Sequence, residues 1–224
     1  MTHTLTLQSK APITHNVHRY VFDRPEGYDF TPGQACHMAL DRDGWRDEDR
    51  PFTFTSLPDE DRLDFVIKSY PDHDGVTTRL PELEQSDTVL VDDPSGAIAD
   101  HGDGVFIAGG AGVTPFIPIL RAKLAKKGTL DGNTLVFSNA TEDDIIMRQE
   151  FERMEGLRCH WTVTEEPGSP LARGMIDAEM LRPFLDPDRD TAYVCGPPDM
   201  TEAVRGHLES LGQPKERLIY EGWS

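Results

Sequence analysis

The stretch Val105 to Phe116, VFIAGGAGVTPF, restricts the fold of this chain more than any other. Val105, Phe106, Ile107 and Ala108 form a short apolar run rich in β-formers, the pattern of a strand buried on both faces. Gly109, Gly110 and Gly112 follow at once, and apolar residues at helical spacing then run through Phe116, Ile119, Leu120 and Leu124. Thr114 suits a helix N-cap, because its hydroxyl can accept from the first free amides. Pro115 suits the first helical position, where a missing N–H is harmless. Strand, glycine turn and helix start in that order aim backbone N–H groups at a phosphate. The glycines let the chain bend sharply and let a ligand approach the main chain. A tight strand-to-helix turn without a ligand gives the same pattern, and Gly-Gly-Ala-Gly falls short of a full G-x-G-x-x-G.

From about Asp100 onward, strands alternate with helices, the texture of a parallel sheet. Strands are expected at Val105–Ala108, Thr134–Ser138, His160–Thr164, Ala192–Cys195 and Leu218–Tyr220. Helices are expected at Thr114–Lys127, Asp143–Met154, near Asp177–Leu185 and at Asp199–Leu211. Cys195-Gly196-Pro197-Pro198 lies between a strand and a helix, the same place as the 109–112 turn. Ligands of open parallel sheets gather at the carboxyl ends of strands, so Cys195 and Gly196 should share a rim with Gly110. No base adjoins Cys195, which favours packing or positioning over covalent catalysis.

The residues before about 95 read differently. Short strands (Leu5–Ser9, His15–Phe22, Ala35–Leu40, Pro51–Ser56, Leu63–Tyr70, Thr88–Val91) are separated by Pro, Gly and Asp clusters. One helix-like piece, Val76 to Leu83, interrupts them. The expected architecture is an all-β antiparallel barrel domain, residues 1–100, followed by an α/β Rossmann-like parallel-sheet domain, residues 101–224.

Composition narrows the function. The 224 residues carry a net charge of −18, which argues against nucleic acid or an anionic membrane as the main partner. No apolar run approaches the roughly 20 residues of a membrane span. The N-terminus lacks the basic and apolar regions of a signal peptide. Cys36, Cys159 and Cys195 are too scattered for a disulfide framework or a metal cluster, and His15, His37, His73 and His160 show no metal-ligand spacing, so no metal is expected. A cytoplasmic setting follows as the default. Asp exceeds Glu and Arg exceeds Lys, as in a salt-adapted protein or simply a soluble acidic one. A melting midpoint that does not rise in molar salt would count against the first.

Two groups in the N-terminal half look chemical. Arg50-Pro51-Phe52-Thr53 puts a permanent cation two residues from a flat ring, with a hydroxyl beside it. In an unbulged strand Arg50 and Phe52 share a face and Thr53 takes the other. Arg would fork onto a phosphate, the ring would stack and Thr would bond a heteroatom. A barrel strand with a core Phe and a surface Arg reads the same way. Gly75-Val76-Thr77-Thr78 opens the short helix and offers amides and hydroxyls to an anion, or an ordinary cap.

In order and spacing, these pieces resemble the ferredoxin–NADP reductase superfamily of flavin-dependent reductases. The resemblance rests on Pro32-Gly33-Gln34, Arg50-Pro51-Phe52-Thr53, Ile67-Lys68-Ser69-Tyr70, Gly75-Val76-Thr77-Thr78, the Gly109–Pro115 turn, Cys195-Gly196-Pro197-Pro198 and Glu221-Gly222-Trp223. It implies a barrel that holds FAD and a second domain that binds NADH or NADPH. Arg50 would pair with the FAD diphosphate, with Pro51 beside it, and Thr53 would bond the flavin near its reactive nitrogen. Phe52 would lie against the flavin, and Ile67, Lys68 and Tyr70 would line the adenosine side. Gly75, Val76, Thr77 and Thr78 would hold the diphosphate. Gly110, Ala111, Gly112, Val113 and Thr114 would cradle the nicotinamide nucleotide. Cys195, Gly196 and Pro197 would place the nicotinamide, with Trp223 near the open flavin face. By this resemblance Thr53, Cys195 and Trp223 are the residues next to the chemistry. Phe52 stands where the family has Tyr, and the chain runs one residue past the usual terminal aromatic.

Hydride transfer needs the two rings within roughly 3–3.5 Å and parallel, so position carries most of the catalysis. No catalytic dyad is required, because the reactive groups belong to the cofactors. The stretch Ser138-Asn139-Ala140-Thr141 carries no Lys or Arg for a 2′-phosphate, and Glu142, Asp143 and Asp144 would repel one, which leans toward NADH. Arg148 or Arg173 could still reach. Electrons would leave to a separate carrier such as ferredoxin or flavodoxin, or to an oxygenase component, over a rim where Arg42, Arg46 and Arg50 alternate with acids. A non-catalytic flavin- or nucleotide-binding regulatory or electron-transfer subunit, and a nucleotide-binding α/β protein with an unrelated barrel, remain open.

Overall fold

A computed structural model describes residues 1–70, 75–96 and 98–221. The chain divides into two units, Met1–Ala99 and Asp100–Ser224.

The first unit is an antiparallel sheet of β1 (His3–Pro12), β2 (Val17–Asp23), β3 (Ala35–Leu40), β4 (Arg50–Thr53), β5 (Arg62–Lys68) and β6 (Thr88–Val91). Its strand order is β4-β3-β6-β1-β2-β5. A bridge between Phe54 and Phe65, with the Thr55 amide donating to Asp64 O at 2.7 Å, brings the two ends together into a nearly closed barrel. Leu5, Leu7, Tyr20, Phe22, Phe54, Phe65 and Ile67 fill the interior, and Phe30 stacks on Phe54 at 4.5 Å. Each large side chain buried there contributes about 1.5–3 kcal/mol. β1 is longer than the alternation suggests because its register shifts between Leu7 and Ser9. Its first half pairs with β6 and its second with β2, and the irregularity breaks the period-two signal. The short helix is also cut: α1 covers Val76–Arg79, then a 3-10 turn spans Leu80–Glu82. Pro81 has no N–H to continue an α-helix.

The second unit is a parallel sheet of β7 (Gly104–Gly109), β8 (Thr134–Asn139), β9 (Arg158–Val163), β10 (Ala172–Arg173), β11 (Thr191–Cys195) and β12 (Leu218–Tyr220), ordered β10-β9-β8-β7-β11-β12. Helices α2 (Phe116–Lys127), α3 (Arg148–Arg153), α4 (Ala178–Leu181) and α5 (Pro198–Ser210) join the strands. On one face Val105, Ile107, Val136, Ala192 and Val194 pack with Leu181 of α4 and with Val204 and Leu208 of α5. On the other, Phe106 stacks on Tyr193 at 4.3 Å and meets Phe116 of α2 edge-on, while Trp161 faces Phe137 and Phe151 of α3. No helix among the described residues is long and apolar enough to cross a membrane.

Two expectations about helices give way. The glycines first form a 3-10 turn, Gly110–Val113, so α2 starts at Phe116, and the Thr114 hydroxyl donates back to Ala111 O at 3.0 Å. The expected Asp143–Met154 helix is a 3-10 turn at Glu142–Asp144, closed by a Thr141–Asp144 capping box, followed by α3. Ile145 and Ile146 are drawn into the core between them, and Met147 takes a φ of 55° to restart the helix. The two-residue β10 escapes a pattern reading because it is so short.

Lys123 of α2 is 4% exposed. Its ammonium donates to Asp100 Oδ1 at 2.9 Å and Gly102 O at 2.8 Å and pairs with Asp103, which Lys127 and Asn133 also contact. This network ties α2 to the segment entering β7. Burial pushes the Asp103 carboxyl up, but hydrogen bonds from Lys127, Lys123 and Asn133 outweigh it and hold the group well below the usual carboxylate range. A depressed folded value gives stability that is present above about pH 4 and is lost as pH falls toward the folded value. Urea unfolding should therefore show stability falling more steeply below pH 4 in the parent than in Asp103→Asn. Lys123→Met, which takes the cation from Asp100 and leaves Asp103 with Lys127 and Asn133, should lower stability by about 1–2 kcal/mol at pH 7.

A Cβ on Gly112 would strike the Cys195 carbonyl and lie 2.6 Å from Gly196 Cα, whereas one on Gly110 meets nothing within 4 Å. Backbone cannot yield as a side chain can, so Gly112→Ala should destabilise by about 1–3 kcal/mol in thermal melts. Gly110→Ala, strained only by its φ of 51°, should lose about 1 kcal/mol.

Candidate functional site

In the parallel sheet the strand order reverses between β7 and β11, whose ends are paired through Ala108 and Cys195. Helices leave these two neighbours on opposite faces, so the loops diverge and leave a crevice at their carboxyl ends. The turns that bound it, Gly109–Val113 and Cys195–Pro197, are interlocked. Gly109 and Gly196 abut each other and Met200 of α5, and Gly112 leaves room for the Cys195–Gly196 backbone. Gly110, by contrast, opens onto free space at a φ of 51°. Such a turn holds its shape and presents main chain to a ligand without a side chain in the way.

The structure thus brings Gly110, Ala111, Gly112, Cys195, Gly196 and Pro197 together as the sequence suggests. Val113 is fully buried and Thr114 is 9% exposed. Val113 can offer only main chain, and Thr114 turns its hydroxyl onto Ala111. Cys195 is 5% exposed, and burial pushes its thiol up to about 12. Thiolate, the reactive form, is therefore scarce at neutral pH. Glu221, which follows β12, has its carboxyl raised by burial.

Asn139 escaped the sequence reading as a special residue. It ends β8 at 5% exposure, and neither its side-chain nitrogen nor its side-chain oxygen has a hydrogen-bond partner among the described residues. A buried carboxamide left this way costs roughly 1–3 kcal/mol per unpaired group. The signal was present: a polar amide closes β8 after the apolar Leu135, Val136 and Phe137.

In the barrel, β4 pairs with β3 in continuous register from Met38 and Arg50 to Ala35 and Thr53, so the strand is unbulged. Arg50 is exposed, and its guanidinium donates to Asp49 O with no carboxylate partner among the described residues. Its neighbours differ. Arg42 pairs with Asp87 and Glu82, and Arg46 with Asp41 and Asp43, so the expected basic rim is largely neutralised. Arg50 remains as the cation available to a phosphate. Pro51 and Thr53 are half-buried beside it, and Phe52 is partly spent on the barrel core.

Tyr70 is 43% exposed, and the Lys68 ammonium lies 5.9 Å from its ring. The Thr78 hydroxyl donates to Tyr70 O at 2.9 Å and fastens α1 to the chain leaving β5. The buried Ser69 Oγ has no hydrogen-bond partner among the described residues. Ile67 and Val76 lie in the core at 2% and 0% exposure, so only their main chain can face a ligand. α1 is four residues long, and its Thr78 amide is already given to Gly75 O. Anion binding there falls to the amides of Val76 and Thr77 and the Thr77 hydroxyl. Trp223 and Gly222 lie outside the described residues.

These features fit two dinucleotides. The barrel offers an arginine with no carboxylate partner among the described residues, a half-exposed aromatic ring and a buried hydroxyl with no hydrogen bond among them. The parallel sheet offers a glycine turn that a Cβ at Gly112 would destroy, beside an orphaned carboxamide.

Residues 4–99 match the oxidoreductase FAD-binding domain, and residues 106–206 match the oxidoreductase NAD-binding domain. NADH-cytochrome b5 reductase 1 of Aspergillus terreus is 32% identical over 234 residues, spanning 95% of this chain and 79% of the relative. The Bos taurus NADH-cytochrome b5 reductase 1 is 30% identical, spanning 96% and 84%. Among solved structures, the cytochrome b5 reductase domain of Ulva prolifera nitrate reductase superposes with a TM-score of 0.86 at 26% identity, covering 98% of this chain and 97% of that one. The barrel with its open arginine and the parallel sheet with its interlocked glycine turns carry these same two domains in the same order, and the chain belongs to the ferredoxin–NADP reductase superfamily as an FAD-dependent NAD(P)H reductase.

Proposed function

We propose that this reductase oxidises NADH in preference to NADPH and passes electrons to a separate haem-protein carrier. The observation that carries the nucleotide side is the open Gly110 turn at the reversal of strand order, followed by a β8 exit with acids and no free cation. NADH named in the relatives supports the same choice. For the acceptor, those names point to a cytochrome b5-like carrier rather than to the ferredoxin, flavodoxin or oxygenase component that the sequence suggests. Neutralisation of Arg42 and Arg46 removes the cationic rim that would steer an acidic ferredoxin. Three free cysteines agree with a reducing, cytoplasmic setting, which forms part of the proposal.

When bound, the cofactors supply the chemistry: the nicotinamide gives hydride and the flavin takes it. The chain's part is to bind and orient. Arg50 would fork onto the FAD diphosphate, with Thr77 and the α1 amides beside it. Thr53 and Phe52 would border the flavin, and Lys68 and Tyr70 would cover the adenosine end. On the other unit, Gly110, Ala111 and Gly112 would admit the nucleotide to the main chain. The buried Cys195, with Gly196 and Pro197, would form the wall that fixes the angle of the nicotinamide. The role given to Trp223 belongs to this proposal as well.

The purified protein should be yellow, absorb near 450 nm and bleach anaerobically with NADH faster than with NADPH, and it should reduce a b-type cytochrome. Retained colour that neither nucleotide bleaches would sink the reading. Arg50→Ala should weaken FAD retention by about tenfold or more with little change in circular dichroism, as expected for the loss of one charge-assisted contact. Unchanged retention on gel filtration would remove Arg50 from the site.

A further inference from the structure

The loop leaving β8 and the loop leaving β9 are stitched into one rigid piece. The Thr164 and Glu165 amides donate to Asn139 O and Ala140 O at 3.0 and 2.9 Å, and the Glu142 amide donates to Glu166 Oε2 at 2.7 Å. Within that piece the Glu142 carboxylate is held from two sides. Ser169 Oγ donates to its Oε1 at 2.6 Å, and an Arg148 N–H donates to its Oε2 at 3.2 Å. Arg148 is itself tethered by Glu152 at 2.8 Å and lies over the Trp161 ring at 5.9 Å. Arg173, the other nearby candidate, donates to Pro167 O at 2.6 Å.

Resting on the reading that the nucleotide lies at the carboxyl ends of this sheet, we propose that Glu142 is a specificity-determining residue that works by sequestration. It places a fixed negative charge on the rim. It also withholds Arg148, the cation that a 2′-phosphate would need, while Ser169 keeps the carboxylate from swinging away. A ribose with a free 2′-hydroxyl meets neither obstacle. A phosphomonoester must face the carboxylate and finds the nearest guanidinium already bonded. Arg148 is thus a latent phosphate ligand, and discrimination depends on one ion pair more than on pocket shape.

Removing the repulsion and releasing the guanidinium act in the same direction, and together they should be worth about tenfold in binding. The test is calorimetric binding of ADP-ribose and of its 2′-phosphorylated form to the FAD-loaded parent and variants, with kcat/KM for NADH and NADPH alongside. The parent should bind ADP-ribose and discriminate against the phosphorylated form. Glu142→Gln, which can still accept from Ser169, should narrow that gap about tenfold by tightening the phosphorylated ligand alone. Ser169→Ala should do so more weakly, and adding Arg148→Ala to Glu142→Gln should remove most of the gain. If Glu142→Gln leaves the gap unchanged, shifts both ligands equally, or keeps its full gain without Arg148, the sequestration is overturned while the nucleotide site stands. If the parent binds neither ligand, the nucleotide reading itself falls and the proposal falls with it.

Discussion

The second unit depends on contact between two backbones where a side chain would normally intervene. The absence of a Cβ at Gly112 lets the first strand-to-helix turn sit against the Cys195–Gly196 carbonyl and Cα, and Gly196 returns the favour by lying against Gly109. Close-packed main chain is stiffer than packed side chains, because it has no rotamers to exchange. The reversal of strand order creates the crevice, and the glycine interlock fixes its lip. Everything assigned to the nucleotide, from the openness of Gly110 to the buried thiol of Cys195, follows from these three missing side chains.

Much of this was legible in the amino-acid order. Fully buried parallel strands announce themselves as apolar runs, and Thr88–Val91, Ala35–Leu40 and Leu218–Tyr220 end where their punctuation says they should. What failed is instructive. Thr114 has the chemistry of an N-cap, but the glycines before it are tighter than an α-helix and consume its hydroxyl locally. The break at Met147 is set by two isoleucines needed in the core, a tertiary demand that no local propensity encodes. The site was legible as residue types and less so as availability. Arg42, Arg46 and Arg50 look alike in sequence, and only their surroundings show which of them remains uncommitted.

Charge has two different uses in this acidic chain. At Lys123, a buried cation is surrounded by acceptors, so that its charge fixes the entry to β7. At the rim beyond β8, the partly exposed Glu142 carboxylate is held by the Ser169 hydroxyl and the Arg148 guanidinium, and under the sequestration proposed above its charge would select rather than support. Burial separates the two. A pair withdrawn from solvent is felt by the whole unit, whereas a half-exposed one chiefly affects what approaches it.

The barrel seam has a consequence of its own. β4 pairs along its length with β3, and beyond its end the Phe54–Phe65 bridge, with the Thr55 amide on Asp64 O, joins it to β5. The strand that carries Arg50 is therefore a stave at the seam of the barrel. A molecule gripping Arg50 of β4 and Lys68 of β5 would also act as a clasp across that gap, so that holding the ligand and keeping the cylinder shut become one equilibrium.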